Sequence, residues 1–334
     1  MTREFKNFFN LNKSLLSKTD QSYSKYFYIR EIETDNGSPE IYSLKKHVLH
    51  DQRIIKLTNK LCDRSLGTSS LVGSVADYKV YGSFYWILKF FADIGLTKND
   101  LPIDDAVRLI FLYQMPDGQF TIGYRQKKRT TVTAVCMTAH LLYSLGKLGY
   151  LYEKAITSGI NYLLTTQRHD GGWHCDWKKQ QGERDQCAPS CPVAGLNAVL
   201  ALSLFGDKYS EILSNAIQQI FNIWQNDEPA IISCDLGTTD IIRKLRYPAH
   251  YMGLDILNIL DTVSNFPEYC YHPAFNGIIR FVLDRWNRNG LLRSEKTIPE
   301  WKEFDFGWNK CESGWISALF CRILKRVYGN LLDS

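Results

Sequence analysis

The chain has 334 residues, enough for one large domain or two small ones. Hydrophobic residues make up 45% and charged residues 22%, an ordinary globular balance that excludes a disordered chain. A net charge of +5, from 40 basic and 35 acidic residues, is too mild to argue for a nucleic-acid partner or a membrane surface.

The N-terminal residues carry Arg3, Glu4 and Lys6 and no apolar run of signal-peptide length. No stretch reaches the roughly 18 apolar residues of a transmembrane span. A reducing cytoplasm is therefore the expected compartment. Residues 34–39, Thr-Asp-Asn-Gly-Ser-Pro, read as the clearest loop, so residues 1–40 are expected to form an N-terminal extension and 41–334 a single domain.

From there helical periodicity dominates. Residues 82–96 place Trp86, Phe90 and Ile94 at four-residue intervals, and 104–113 repeat the pattern with Ala106, Leu109, Ile110 and Tyr113. Residues 132–145, 192–205 and 250–260 are apolar nearly all round, which predicts inner helices. Residues 152–164 and 209–224 are amphipathic, which predicts outer ones. Long β-branched runs bounded by turns are lacking, so the expected class is all-α, with inner and outer helices in alternation.

One phrase recurs. Gln114-Met115-Pro116-Asp117-Gly118-Gln119-Phe120 returns 53 residues later as Gln167-Arg168-His169-Asp170-Gly171-Gly172-Trp173. Weaker echoes begin at Trp224 and Arg285, 57 and 61 residues further on in turn. A period in the fifties with two helices per unit is the mark of stacked helical hairpins. Asp-Gly is turn chemistry, because glycine accepts positive φ and aspartate bonds the nearby backbone. By that reasoning the phrase is a structural staple.

Gln-x-x-Asp-Gly-Gly-Trp resembles the repeat signature of the prenyltransferase and squalene-oxidase superfamily, shared by terpene cyclases and protein prenyltransferase β subunits. The resemblance runs over residues 82–328. The stretches Phe90-Phe91-Ala92-Asp93-Ile94-Gly95-Leu96 and Arg246-Tyr247-Pro248-Ala249-His250-Tyr251 look like a bacterial-type branch of small single-domain members. It implies an α/α toroid, inner helices ringed by outer ones around an aromatic-lined cavity.

The densest chemistry follows the second phrase. His174, Cys175, Asp176, Asp185, Cys187 and Cys191 fall within residues 174–191, and Cys191 directly precedes Pro192, a favourable first-turn residue. A thiol at a helix start is favoured as thiolate, the form that a metal or a nucleophilic mechanism needs. Nine cysteines, odd in number and spread from Cys62 to Cys321, do not form a disulfide framework.

Protein prenyltransferase β subunits resemble this region by holding catalytic zinc through a cysteine at an inner-helix start, an aspartate just before it and a histidine on the next inner helix. The resemblance therefore implies zinc on Cys191 and His250, with Cys175 as third ligand and Cys187 and Asp185 as rivals. The family's aspartate position is Pro189 here, and Asp185-x-Cys187 would restore the spacing four residues earlier. Zinc with three protein ligands and one open position is a catalytic arrangement. Cys191, His250, Asp185 and Tyr251 are the expected catalytic set. Cys62, Cys136, Cys234, Cys270, Cys311 and Cys321 read as structural.

Protonation-initiated cyclases carry Asp-x-Asp-Asp, which this chain lacks; Asp104-Asp105 sits at a helix start, where acids act as caps. Diphosphate binding calls for basic groups, and the candidates are Arg125, Lys128 and Arg129, with Arg243 and Arg246 before the His250 helix. Trp173, Trp177, Tyr247, Tyr251 and the run from Trp301 to Trp315 supply rings able to stabilise a carbocation, the last of these as a rim or lid.

The leading expectation is an enzyme acting on an apolar, isoprenoid-diphosphate-type substrate, with prenyl transfer favoured over cyclisation. The acceptor is a small molecule or a peptide, and a partner subunit of the kind prenyltransferases use leaves no mark in the sequence. The alternatives are a lanthionine-cyclase-like zinc toroid adding a thiol to a peptide, whose adjacent Cys-His pair is missing here, and a non-catalytic toroid that binds lipid or peptide.

Overall fold

The computed structural model describes residues 2–33, 38–63, 81–125, 130–174, 190–225, 242–249 and 253–332. In chain order its helices are α1 (Thr2–Ser17), α2 (Ser22–Tyr28), α3 (Pro39–His50), α4 (Gln52–Cys62), α5 (Phe84–Ile94) and α6 (Asp104–Leu112). A short hairpin, β1 (Thr121–Arg125) and β2 (Thr130–Thr133), follows. Then come α7 (Val135–Leu145), α8 (Lys154–Thr165), α9 (Pro192–Leu202), α10 (Ser210–Gln225), α11 (Ile256–Val263), α12 (Pro273–Leu283) and α13 (Gly314–Leu332). The fold is all-α apart from this hairpin. Thr, Ile and Val supply its β-branched residues in runs too short to stand out against the helical pattern.

The chain forms two compact units, one of residues 1–57, 243–249 and 255–334, the other of residues 58–242 and 250–254. In the second unit α5, α7 and α9 lie side by side, with α7 touching both neighbours. Every residue of α5 is buried, and so is every residue of α9 from Val193 to Leu202. α8 packs on α7 and α10 on α9, each burying a single face. This is the expected alternation of inner and outer helices, and it follows from where the apolar residues stand. A helix apolar on all sides must be surrounded, and each fully buried Leu or Ile contributes about 1.5–3 kcal/mol. Gly95, at φ 90°, ends α5 in the left-handed conformation that only glycine adopts without strain.

The first unit is built around α13, which packs against α1, α2 and α11. Within residues 1–40, expected as an extension, α1 and α2 pack on α13: Phe8 and Phe27 are wholly buried, and Phe8 meets Phe320 edge to face at 5.2 Å. Arg322 and Arg326 of α13 reach Asp261 of α11 at 2.8 and 3.0 Å, while Arg322 also lies 4.7 Å over the Phe27 ring.

The inner helix expected over 250–260 begins later. Asp255 is extended (φ −148°, ψ 172°), and its carboxylate accepts the Asn258 N–H at 3.1 Å, so the helix starts at Ile256. Gly253, at φ 78°, turns the chain just before it. An Asp cap behind a left-handed glycine outweighs the apolar pattern that suggested a start at residue 250. His250 and Tyr251 themselves lie outside the described residues.

Candidate functional site

The repeated phrase makes the same bonds in both copies. Gln114 Nε2 donates to the Gly118 carbonyl at 2.9 Å and to Ala155, in the first turn of α8, at 2.7 Å. Gln167 Nε2 donates to Gly171 at 2.8 Å and to Ile212, in the first turn of α10, at 2.7 Å. Each glutamine thus ties its own turn to the next outer helix. Gly118 and Gly171 stand at φ 99° and 81°, and the N–H two residues after each aspartate returns to that aspartate. Trp173, wholly buried, donates from Nε1 to the Leu163 carbonyl at 2.8 Å.

In the first unit the echo at Arg285 keeps the turn with other residues. Arg288 takes the left-handed position at φ 64°, Asn289 N–H donates to Asn287 Oδ1 at 3.2 Å, and Trp286 Nε1 reaches the Gly290 carbonyl at 2.7 Å.

The second copy holds the start of α9. Cys191 is its N-cap, only 3% exposed, and its N–H donates to the Trp173 carbonyl at 2.7 Å. Pro192 occupies the first turn, as the sequence suggested. Just before it, Ser190 N–H and Oγ–H donate to the two carboxylate oxygens of Asp170, at 3.2 and 2.6 Å. Gln219 of α10 donates to the Asp170 carbonyl at 3.0 Å. Partial burial of Asp170 pushes its pKa upward, but the bonds from Ser190 and Gly172 outweigh it and hold the carboxyl below its ordinary value.

A polar seam crosses the three inner helices below this start. On α5, Lys89 donates to both oxygens of Asp93, at 2.7 and 2.6 Å, within a helix that is otherwise apolar apart from its Tyr85 hydroxyl. Lys89 Nζ lies 4.9 Å over the Tyr143 ring of α7. His140 of α7 stacks on Tyr85 at 3.6 Å and 16° and meets the Trp86 edge at 5.3 Å. Burial, with Lys89 beside it, pushes the His140 pKa well below the ordinary histidine value, against the favourable pull of the Tyr85 backbone and the Asn197 side chain. The imidazole is neutral here at physiological pH. Asn197 of α9 lies wholly buried, its Nδ2 bonded to the Val193 carbonyl at 2.9 Å. A Cβ on Gly253 would come within 2.9 Å of it. Sequence reasoning passed over this seam; a Lys and an Asp four apart in an apolar helix were its signal.

In the first unit the run from Trp301 to Trp315, expected as a lid, turns most of its rings into core. Trp301, Phe304, Phe306 and Trp315 are buried around Tyr23, and of the run's aromatic residues only Trp308 is exposed. Asp305 accepts the Tyr23 hydroxyl at 3.0 Å and the Trp315 N–H at 3.1 Å, capping α13. Burial raises its pKa against those bonds. One oxygen caps the helix and the other holds the Tyr23 hydroxyl, so both are in use.

Of the expected site residues, Cys191 is where the sequence placed it, at an inner-helix start. Cys175, Cys187, Asp185, His250, Tyr251, Lys128 and Arg129 lie outside the described residues, as does the side chain of Arg125. Arg246 is 4% exposed, and its guanidinium stands 3.5 Å from Asp255, so its charge is spent within the first unit. Arg243 is half-buried, 5.9 Å from the Phe281 ring. No group of three or more metal-ligating side chains occurs among the described residues. Among the described cysteines, Cys270 and Cys321 are buried structural thiols, and burial pushes the Cys270 pKa up to about 12. Cys311, expected in the core, is exposed. No described helix is long and apolar enough to cross a membrane.

The class defined so far is an all-α protein of stapled helical hairpins. No protein-family model matches the chain. Among solved structures it is similar to the type II terpene cyclase MstE from Scytonema in its apo form, with a TM-score of 0.47, 10% identity and coverage of 99% of this chain and 100% of that one. It is likewise similar to a variant of that cyclase in complex with its substrate, geranylgeranyl dihydroxybenzoate, with a TM-score of 0.46, 10% identity and 97% of each chain covered.

Proposed function

We propose that the helical hairpins close into an α/α toroid and that the protein is an enzyme acting on an isoprenoid diphosphate, transferring the prenyl group to a nucleophile. The observation that carries this reading is the placing of Cys191. It caps a wholly buried inner helix directly behind the second phrase, at the helix start where the resembling prenyltransferases hold a zinc-ligating cysteine. The absence of Asp-x-Asp-Asp from the sequence favours transfer over protonation-initiated cyclisation.

The donor chemistry fits zinc. A thiol at a helix N-terminus is favoured as thiolate, and the sequence brings further sulfur and nitrogen donors in Cys175, Cys187 and His250. Bound there, zinc would supply Lewis-acid activation of an acceptor thiol or water. Arg125, Lys128 and Arg129 would take the diphosphate, since guanidinium and ammonium groups match phosphate oxygens. In the transfer the acceptor gives up its proton to solvent as it becomes the nucleophile, the C1–O bond to diphosphate breaks as the acceptor's electron pair forms the new bond to C1, and diphosphate leaves with the negative charge those residues would meet.

Metal analysis of the purified chain tests the zinc part. One zinc per chain is expected, lost in Cys191→Ala and His250→Ala while helical circular dichroism persists. Metal-free wild-type protein, or zinc retained in both variants, would overturn it.

A further inference from the structure

We infer that Asp170 and Ser190 are positioning residues for Cys191, a clamp present in the second copy of the phrase and absent from the first. The inference deepens the reading proposed above and rests on it for the metal that Cys191 would hold. The two copies serve as each other's control. In the first, Asp117 bonds only within its own turn, to the Gln119 N–H at 3.0 Å and the Gln119 side chain at 3.0 Å. In the second, the same two oxygens also reach twenty residues along the chain to Ser190, by backbone and hydroxyl.

The sequence difference that permits this is one residue. Gln119 of the first copy is Gly172 in the second, and a Cβ there would stand 2.4 Å from the Ser190 Cβ and 2.7 Å from its Oγ. Gly171 already provides the left-handed turn, so Gly172 is needed for space. The space admits Ser190, and with it the start of α9. The Cys191 N–H then closes on the Trp173 carbonyl, and Gln219 fixes the turn from α10. Two bonds from Ser190 and one from the Cys191 N–H thus hold the chain as it enters Cys191, and a fourth, from Gln219, holds the Asp170 turn that receives Ser190. Among the described residues the first copy makes none of these and meets its inner helix differently, through the Phe120 N–H on Thr138 Oγ1 of α7 at 3.1 Å. Removing a group that holds a ligating residue in place commonly lowers metal affinity roughly 10–100-fold.

The test uses the full-length chain and three variants, Ser190→Ala, Asp170→Asn and the matched Asp117→Asn. Iodoacetamide labelling of the metal-free proteins, read peptide by peptide by mass spectrometry, reports the exposure of Cys191 through local opening. Ser190→Ala and Asp170→Asn are expected to speed Cys191 alkylation about tenfold or more, and Asp117→Asn to leave it within about twofold. Competition with a chromogenic chelator is expected to show zinc affinity falling roughly 10–100-fold in the first two variants only. An unchanged Cys191 rate in both clamp variants, or equal acceleration by Asp117→Asn, would overturn the inference. If the wild-type chain takes up no zinc but Cys191 is still released by Ser190→Ala, the zinc reading falls and the positioning role stands.

Discussion

His140 stands fully buried on α7 with its ring against Tyr85 and the Lys89 cation close by, so folding holds the imidazole neutral. The sign of the consequence follows from proton counting. Below the ordinary histidine value of 6.5 the unfolded chain takes up a proton that the folded chain refuses, so stability falls as pH falls. Above that value this residue contributes no slope. Urea titrations between pH 7 and 5 are expected to show a loss approaching about 1.4 kcal/mol per pH unit below the transition, and His140→Gln to flatten it. An unchanged slope in the variant would remove His140 as the cause. Asp170 acts in a different window: its carboxyl is held below 3.8, so the stability it contributes is lost only at more acidic pH. At this scale the sequence was legible in part. Cys191 before Pro192 announced a helix start, whereas the Asp170–Ser190 bond joins residues twenty apart in the chain and no local pattern encodes it. The second glycine of the phrase was visible, but its reason, room for Ser190, needs the fold.

Between elements, the two glutamines of the phrase do the joining. Gln114 ties the end of one hairpin to the first turn of α8, and Gln167 does so for α10. Gln114→Ala is expected to cost about 1–3 kcal/mol, because two hydrogen bonds go and the Gly118 and Ala155 carbonyls lose a donor. Gln167→Ala should cost less, since its contact with Ile212 is exposed and water replaces it. Equilibrium denaturation compares them; no loss in either variant would mean that the phrase is not a staple. Helix periods read well here: 104–113, 152–164 and 209–224 fall within two residues of α6, α8 and α10. The helix expected over 250–260 was misplaced because periodicity reports a buried face and not the cap, and Asp255 with Gly253 sets the start. α1 packs mainly on α13, at the far end of the chain, a pairing no local pattern encodes, so the loop at residues 34–39 read as the end of an extension.

For the whole molecule, composition bounded the answer and the repeat selected within it. The aromatic residues, 13% of the chain, form two kinds of core: rings around Tyr23 in one unit, and rings on the inner helices in the other. The all-α class was readable from periodicity because the stretches 132–145 and 192–205, apolar nearly all round, are the buried helices α7 and α9. The proposed activity stands on fewer residues, above all Cys191 and the sulfur, nitrogen and basic groups the sequence sets near it. One measurement tests that activity most directly. Zinc-loaded chain is incubated with farnesyl or geranylgeranyl diphosphate and a thiol acceptor, and released diphosphate and prenylated product are followed by mass spectrometry. The account predicts diphosphate release with matching thioether formation, abolished by Cys191→Ala. Zinc-loaded protein that neither binds nor converts either diphosphate would contradict it.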